Sequence, residues 1–190
     1  IDYVFIPIGG GGLASGVALA LKSQGVRIIG AQVEGVDSMA RAIKGDSREV
    51  DPVPTLADGV KVKIPGFITR RLCAALLDDL VIVREAELRE TLVRLALEEH
   101  VIAEGAGALA LAAGRRVASK RKCAVVSGGN IDATVLAGLL SDIRPRPPRP
   151  PRKPRLRRRD LTPRTSGCTG VAVSSFPSAP AITAVEETLW

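Results

Sequence analysis

The residues best suited to chemistry stand near the start of the chain, in the run Pro7-Ile8-Gly9-Gly10-Gly11-Gly12-Leu13. Gly9, Gly10, Gly11 and Gly12 remove every Cβ from a turn between an apolar run and an amphipathic one. Consecutive backbone N–H groups can then approach an anion closely, beside the partial positive charge of a helix N-terminus. That is the chemistry of a phosphate cradle. The helix dipole contributes only ~0.3 to 1 kcal/mol in ordinary settings, so direct N–H hydrogen bonds must supply most of the grip. A tight strand-to-helix turn needs one or two glycines, not four. No lysine lies in the turn, which excludes a P-loop. The pattern Gly9-x-Gly11-x-x-Ala14, with Glu34 about twenty residues further on, also fits a dinucleotide fingerprint. A dinucleotide-binding domain of an oxidoreductase is therefore the alternative reading.

Other candidates are weaker taken singly. Ser127 precedes Gly128-Gly129 at a strand end, where its hydroxyl could cap the turn or face a ligand. Glu104 opens a small-residue helix, where the helix N-terminus alone favours a carboxylate. Asp58-Gly59 lies in a loop and reads as a site wall or a turn. The lone His100 reads as a helix-end residue. Cys73, Cys123 and Cys168 are an odd set without C-x-x-C spacing, so neither a disulfide framework nor a zinc site is expected, and no metal is assigned.

These candidates need strands and helices to carry them. Up to Ile143, apolar runs of strand length alternate with longer amphipathic runs, the pattern of βα units around a mostly parallel sheet. Strands are expected over Tyr3–Pro7, Val26–Glu34, Leu80–Val83 and Cys123–Val126. Helices are expected over Leu13–Ser23, Ser38–Ile43, Phe67–Leu77, Ala86–His100, Glu104–Val117 and Ala133–Leu140. Residues 50–64, with Pro52, Pro54 and Gly59, read as loop. The expected fold class is α/β in three layers.

With 46% hydrophobic residues in 190, a sizeable core can be buried. Charges interrupt every apolar stretch well before membrane-spanning length, so no span is expected, and the setting expected is a reducing cytoplasm. Position 1 opens directly on a strand-like run, so the chain is expected to begin inside a longer protein. Of the net charge of +7, residues 1–143 contribute nothing, since 17 Lys and Arg balance 17 Asp and Glu. The bulk of the chain thus offers no electrostatic case for nucleic acid. Residues 144–164 carry +9, interleaving Arg with Pro and lacking apolar periodicity, and are expected to be disordered or read out of frame. A non-enzymatic protein that binds through this basic segment is a further alternative. Residues 165–190 form a Ser-, Thr-, Pro- and Ala-rich tail without defensible periodicity.

The glycine run, Thr55-Leu56-Ala57-Asp58-Gly59-Val60, Asp78-Asp79-Leu80-Val81-Ile82-Val83, Glu104-Gly105-Ala106-Gly107-Ala108 and Ser127-Gly128-Gly129-Asn130-Ile131-Asp132 occur in one order along the chain. In that order and spacing the chain resembles the threonine dehydratases, also called threonine ammonia-lyases, over about residues 2–140. Five motifs in register make the resemblance specific. It implies the type II fold of pyridoxal-phosphate enzymes, with residues 1–143 the C-terminal part of the catalytic domain and pyridoxal 5'-phosphate as cofactor. It implies a lyase that dehydrates and deaminates L-threonine, or L-serine, to 2-oxobutanoate, or pyruvate, and ammonia. Such a lyase would serve amino-acid metabolism, in isoleucine biosynthesis or threonine catabolism, as a homo-oligomer when full length.

The same resemblance assigns roles. Gly9, Gly10, Gly11 and Gly12 would hold the cofactor phosphate through their amides, Ser127 would face the pyridine nitrogen, and Glu104 would lie near the cofactor. Glu34 matches a carboxylate that related serine racemases use for a divalent cation, but their second carboxylate falls here at Ala40, leaving that site incomplete. A further departure concerns the Schiff-base lysine, which in this family lies in an S-x-K-x-R-G-like motif upstream of the glycine loop. No lysine of this chain sits in such a motif, so no catalytic residue is assigned and this chain alone is expected to be inactive.

Overall fold

The structure, a computed structural model, describes residues 1–119 and 121–141. The expectations for residues 144–164 and 165–190 lie outside the described residues. The first strand, β1 (Tyr3–Pro7), is apolar along its length because it is covered on both faces, as a strand inside a parallel sheet must be. Beside it lie β2 (Arg27–Val33) and, beyond that, β3 (Asp79–Val83), while β4 (Lys122–Ala124) takes the other flank of β1. All pairings are parallel, in the order β3-β2-β1-β4, with Phe5 opposite both Ile29 and Ala124.

Parallel strands need crossovers, and helices supply them on both faces. They are α1 (Gly12–Leu21), α2 (Ser38–Ile43), α3 (Phe67–Leu76), α4 (Glu85–Glu98), α5 (Gly105–Gly114) and α6 (Ala133–Ser141). Side chains alternate across the sheet. Val4, Ile6, Ile8 and Ile28 pack with Ala14 and Ala18 of α1, Met39 of α2 and Cys73 of α3. Phe5, Ile29, Ala31 and Val33 pack with Leu88, Leu92 and Leu95 of α4, Leu109 and Leu111 of α5, and Leu139 of α6. The three-layer α/β arrangement with a parallel sheet is thus what the sequence pattern predicts. No helix among the described residues is long and apolar enough to cross a membrane.

Most differences from the sequence expectation lie at element ends. The first helix is expected to run to Ser23, but its α-helical part ends at Leu21 and the last turn tightens into a 3-10 turn, Lys22–Gln24, closed by Gly25 at φ 74. The fifth helix is expected to begin at Glu104, which instead stands just outside it as the N-cap. Its end also comes early, at Gly114, after which the chain turns back toward β4.

One ion-pair cluster ties the two ends of the α4–α5 layer to the sheet. The Glu87 carboxylate accepts from the Arg84 backbone amide at 3.0 Å and from Arg116, whose guanidinium also donates to the Ile82 carbonyl of β3 at 3.0 Å. The Arg116 guanidinium beside it, helped by Arg84, holds the Glu87 carboxyl down at about 2 against an ordinary 4.5. A depressed folded-state pKa adds stability that is fully present above the unfolded value and is lost as pH falls through the folded one. Replacing Glu87 by Gln should therefore cost about 1 kcal/mol at neutral pH, once solvent screening of this partly exposed group is allowed for. Chemical denaturation should show the gap between the two proteins closing from about pH 5 toward pH 2. A gap independent of pH would contradict the ion-pair account.

Candidate functional site

The glycine turn leaves the carboxyl end of β1 and feeds directly into α1. From β1 the chain crosses to β2 on one side, whereas β4 lies on the other, so the order of strands reverses between β1 and β4. Crevices outside the carboxyl ends of strands at such a reversal are where open α/β sheets bind ligands. A cavity of about 220 Å³ lies there, lined by Pro7, Gly9 to Gly12, Leu13, Gly59, Val60, Glu104, Ala106 and Ser127.

The turn presents donors to this cavity. Gly11 caps α1 at φ 89, and Ser15 N donates to Gly11 O at 2.9 Å as the first bond of the helix. No described residue accepts from the amides of Gly10, Gly11, Gly12, Leu13 or Ala14. The first turn of α1 carries no acidic residue to compensate its positive end. Four carbonyls of the turn are instead engaged from the protein side. Gln32 Nε2 donates to Ile8 O at 3.2 Å, Thr69 Oγ1 to Gly10 O at 2.6 Å and Ser15 Oγ to Gly12 O at 3.1 Å. The Cys73 thiol, pushed up in pKa by burial and so held neutral, lies 3.9 Å from Gly11 O. In a trans peptide the carbonyl and the following N–H point opposite ways, so anchoring these carbonyls aims the amides of Gly9, Gly11, Gly12 and Leu13 outward.

The other walls come from three segments. Residues 55–57 are held by the first residue of α4, since Glu85 accepts from Thr55 Oγ1 at 2.6 Å and from Leu56 N at 2.7 Å. That anchor presents the 3-10 turn Asp58–Val60, whose Gly59 and Val60 face the glycine run. The helix α5 is buried throughout and made of Gly, Ala and Leu, which lets it sit hard against its neighbours. A side chain at Gly105 would strike the Leu56 carbonyl, and one at Gly107 would come within 2.7 Å of Ser127 O. Ser127 itself follows β4.

The structure brings Gly9, Gly10, Gly11, Gly12, Glu104 and Ser127 to one cavity. Glu104 stands at the N-cap of α5 but makes no capping hydrogen bond with its side chain. Its carboxylate lies instead over Gly128, where an added Cβ would come within 2.5 Å of Oε1. It also lines a second, larger cavity of about 480 Å³ with Asp58, Asn130 and Asp132. The Ser127 hydroxyl makes no hydrogen bond to a described residue, so it does not serve as a turn cap here. Glu34, the acid that a dinucleotide ribose would require, is engaged elsewhere and accepts from Glu85 N at 2.9 Å as a cap for α4. His100 lies just beyond the end of α4, at φ 58, and lines neither cavity.

Four residues that the motif alone does not single out hold or pack against the turn: Gln32, Met39, Thr69 and Cys73. Gln32 is fully buried within β2, with Oε1 accepting from Ala40 N at 2.9 Å. A polar residue in the otherwise apolar run Ile-Ile-Gly-Ala-Gln-Val is its signal in the sequence. Thr69 and Cys73 stand four apart on α3 and so share one face, but nothing local says which loop that face meets.

Comparison with known proteins places the chain among similar sequences and folds. The family model described as pyridoxal-phosphate dependent enzyme matches residues 1–131. The L-threonine ammonia-lyase of Thermotoga maritima is 40% identical over 147 residues, which are 74% of this chain and 37% of that protein. The catabolic L-threonine dehydratase TdcB of Escherichia coli K12 is 40% identical over 141 residues, 70% of this chain and 43% of that one. The chain thus spans about two fifths of the curated relatives it matches. Among solved structures, the processed form of threonine deaminase isoform 2 from Solanum lycopersicum superposes with a TM-score of 0.68 at 32% identity, over 74% of this chain and 41% of that one. Maize serine racemase gives 0.65 at 31% identity, over 74% and 48%.

The close packing under Gly11 makes a specific expectation. A Cβ there would meet Met39 Cε at 2.6 Å, Thr69 Cβ at 3.1 Å and Cys73 Sγ at 3.2 Å, in a left-handed conformation. Adding the usual cost of that conformation to overpacking, Gly11→Ala should destabilise the fold by about 2 to 4 kcal/mol. At Gly12, one residue on, a Cβ would meet nothing within 4 Å. Gly12→Ala should stay within about 1 kcal/mol of the parent protein in the same urea titration. Equal losses at both positions would show that the turn tolerates no side chain for reasons other than this packing.

Proposed function

Because this chain belongs to the family of pyridoxal-phosphate dependent enzymes, we propose that the cavity beyond β1 is the phosphate end of its cofactor site. We propose further that the whole protein dehydrates and deaminates L-threonine, or L-serine, to 2-oxobutanoate, or pyruvate, and ammonia. The observation that carries the first statement is the row of backbone amides from Gly10 to Ala14, without acceptors among the described residues and with no acidic residue in the helix turn they begin. A phosphate fits these donors, whereas a side chain at Gly11 would need the space already filled by Met39. The names of the 40% identical relatives support the second statement.

Pyridoxal phosphate, when bound, supplies an electron sink for an amino acid that is losing its α-proton. In this reading Gly9, Gly10, Gly11 and Gly12 would bind the phosphate, and Ser127 would hold the ring by a neutral hydrogen bond to its nitrogen. A hydroxyl does not enforce a protonated ring as a carboxylate would. That moderate setting would suit elimination of a β-hydroxyl. Glu104, beside Ser127 and between the two cavities, excludes solvent from the gap over Gly128 and offers an acceptor to a substrate or cofactor group. No lysine lines either cavity among the described residues. The part taken by residues 1–143, as the C-terminal portion of the catalytic domain, is therefore binding and orientation rather than proton transfer. The remaining elements of this reading are a homo-oligomeric whole protein and a cytoplasmic setting.

In the whole protein loaded with cofactor, L-threonine should yield 2-oxobutanoate and ammonia in equal amounts, and L-serine pyruvate. Failure to release a 2-oxo acid from either would overturn the proposed reaction. Ser127→Ala should lower kcat roughly tenfold or more, about 1.4 kcal/mol, with the melting temperature unchanged because the hydroxyl has no partner among the described residues to lose. An unaltered kcat would remove Ser127 from the site.

A further inference from the structure

A loop of glycines cannot shape itself, so the question is which neighbouring group decides where its amides point. Of the four carbonyls engaged, Ile8 and Gly12 lie in or beside regular elements that already fix them, and Gly11 O accepts the first bond of α1. The Gly10–Gly11 peptide is different. It lies between strand and helix, and the described residue that donates to its carbonyl is Thr69, 59 positions away in sequence.

Thr69 has a local alternative. It sits in the first turn of α3, where a threonine hydroxyl can bond back to a nearby backbone carbonyl, and that of the N-cap residue Gly66, three residues earlier, is available at 3.1 Å. The hydroxyl has one proton, and its shorter contact, 2.6 Å, is with Gly10 O. The Thr69 Cβ also stands where a side chain on Gly11 would begin, 3.1 Å from it. The residue therefore both holds the peptide and fills the space behind it, without lining the cavity.

We propose that Thr69 is a positioning residue for anion binding: by donating to the Gly10 carbonyl it turns the Gly11 amide into the cavity. This inference rests on reading the cavity as a phosphate site and adds to it a group on another element that sets its affinity. Without the hydroxyl, the Gly10–Gly11 peptide is free to rotate between two glycines that impose no barrier of their own, and one donor is lost from the cradle for part of the time. The loss should fall on ligands that carry phosphate and spare those that do not.

The test is calorimetric titration of the full chain and its variants with three probes: pyridoxal phosphate, pyridoxal and inorganic phosphate. The parent should prefer pyridoxal phosphate over pyridoxal. Thr69→Val, which keeps the shape and removes the donor, should weaken pyridoxal phosphate and inorganic phosphate roughly tenfold and leave pyridoxal unchanged, the size expected for one hydrogen bond. Thr69→Ser should restore the parent values within about twofold. A merely structural role would weaken all three probes together, and that result overturns the inference, as does an unchanged preference in Thr69→Val. Should Thr69→Val fail to fold, Thr69→Ala compared with Thr69→Ser reads the same difference between hydroxyl absent and present. A parent chain with no preference for the phosphorylated probe would overturn the reading of the cavity itself, an outcome separate from failure of the variant alone.

Discussion

Four successive glycines have no side chains with which to hold a shape, so the conformation of this turn is imposed from outside. The imposition runs through carbonyl oxygens. Gln32 reaches from the neighbouring strand, Ser15 from the helix that follows, and Thr69 and Cys73 from a helix packed on the same face. Each fixes one end of a peptide unit and thereby the direction of the amide at its other end. The sheet order follows the same demand. β1 must be interior so that β2 can present Gln32 on one side and β4 can deliver Ser127 on the other.

The second layer of helices serves the site by being thin. Residues 105–114 carry nothing larger than leucine, and Gly105 and Gly107 stand where any side chain would collide with the backbones of Leu56 and Ser127. Close approach brings three backbone segments, distant in sequence, into one wall. The cost is that α5 has little helix-forming preference of its own at its glycines, so its stability must come from burial. The surrounding ion pairs compensate at its end, where Arg116 joins Glu87 and the Ile82 carbonyl.

Much of this was legible in local pattern. The apolar run Tyr3–Pro7 and the short stretch Ser38–Ile43 match their elements at both ends. The glycine run marks in composition the turn that the structure places at a cavity beyond β1. What pattern does not carry is pairing across the fold. Thr69 reads as an ordinary helical residue, and Gln32 as a single polar interruption, until the third dimension puts their side chains under the turn. Glu34 shows the converse. Its position fits two ligand-binding patterns, yet its carboxylate is occupied with the amide of Glu85. A motif states which groups are in reach, whereas hydrogen-bond competition decides which remain available.

That competition matters more here than it would in a site built from charged side chains. Neither lysine nor arginine lines either cavity among the described residues, and the nearest ionisable lining group, Glu104, carries the sign that an anion would avoid. Its carboxylate lies over Gly128, beyond β4, rather than at the helix end. A cationic side chain attracts at long range and tolerates misplacement, since its Coulomb energy falls only as the inverse of distance. A backbone amide attracts through a bond that weakens steeply once its angle drops below about 120°. An anion site made of amides alone thus depends on orientation more than on charge, and a rotation of one peptide removes a donor outright. The groups that fix those peptides therefore control affinity from positions that never touch the ligand, which is why a threonine on a neighbouring helix belongs in the account of a glycine loop.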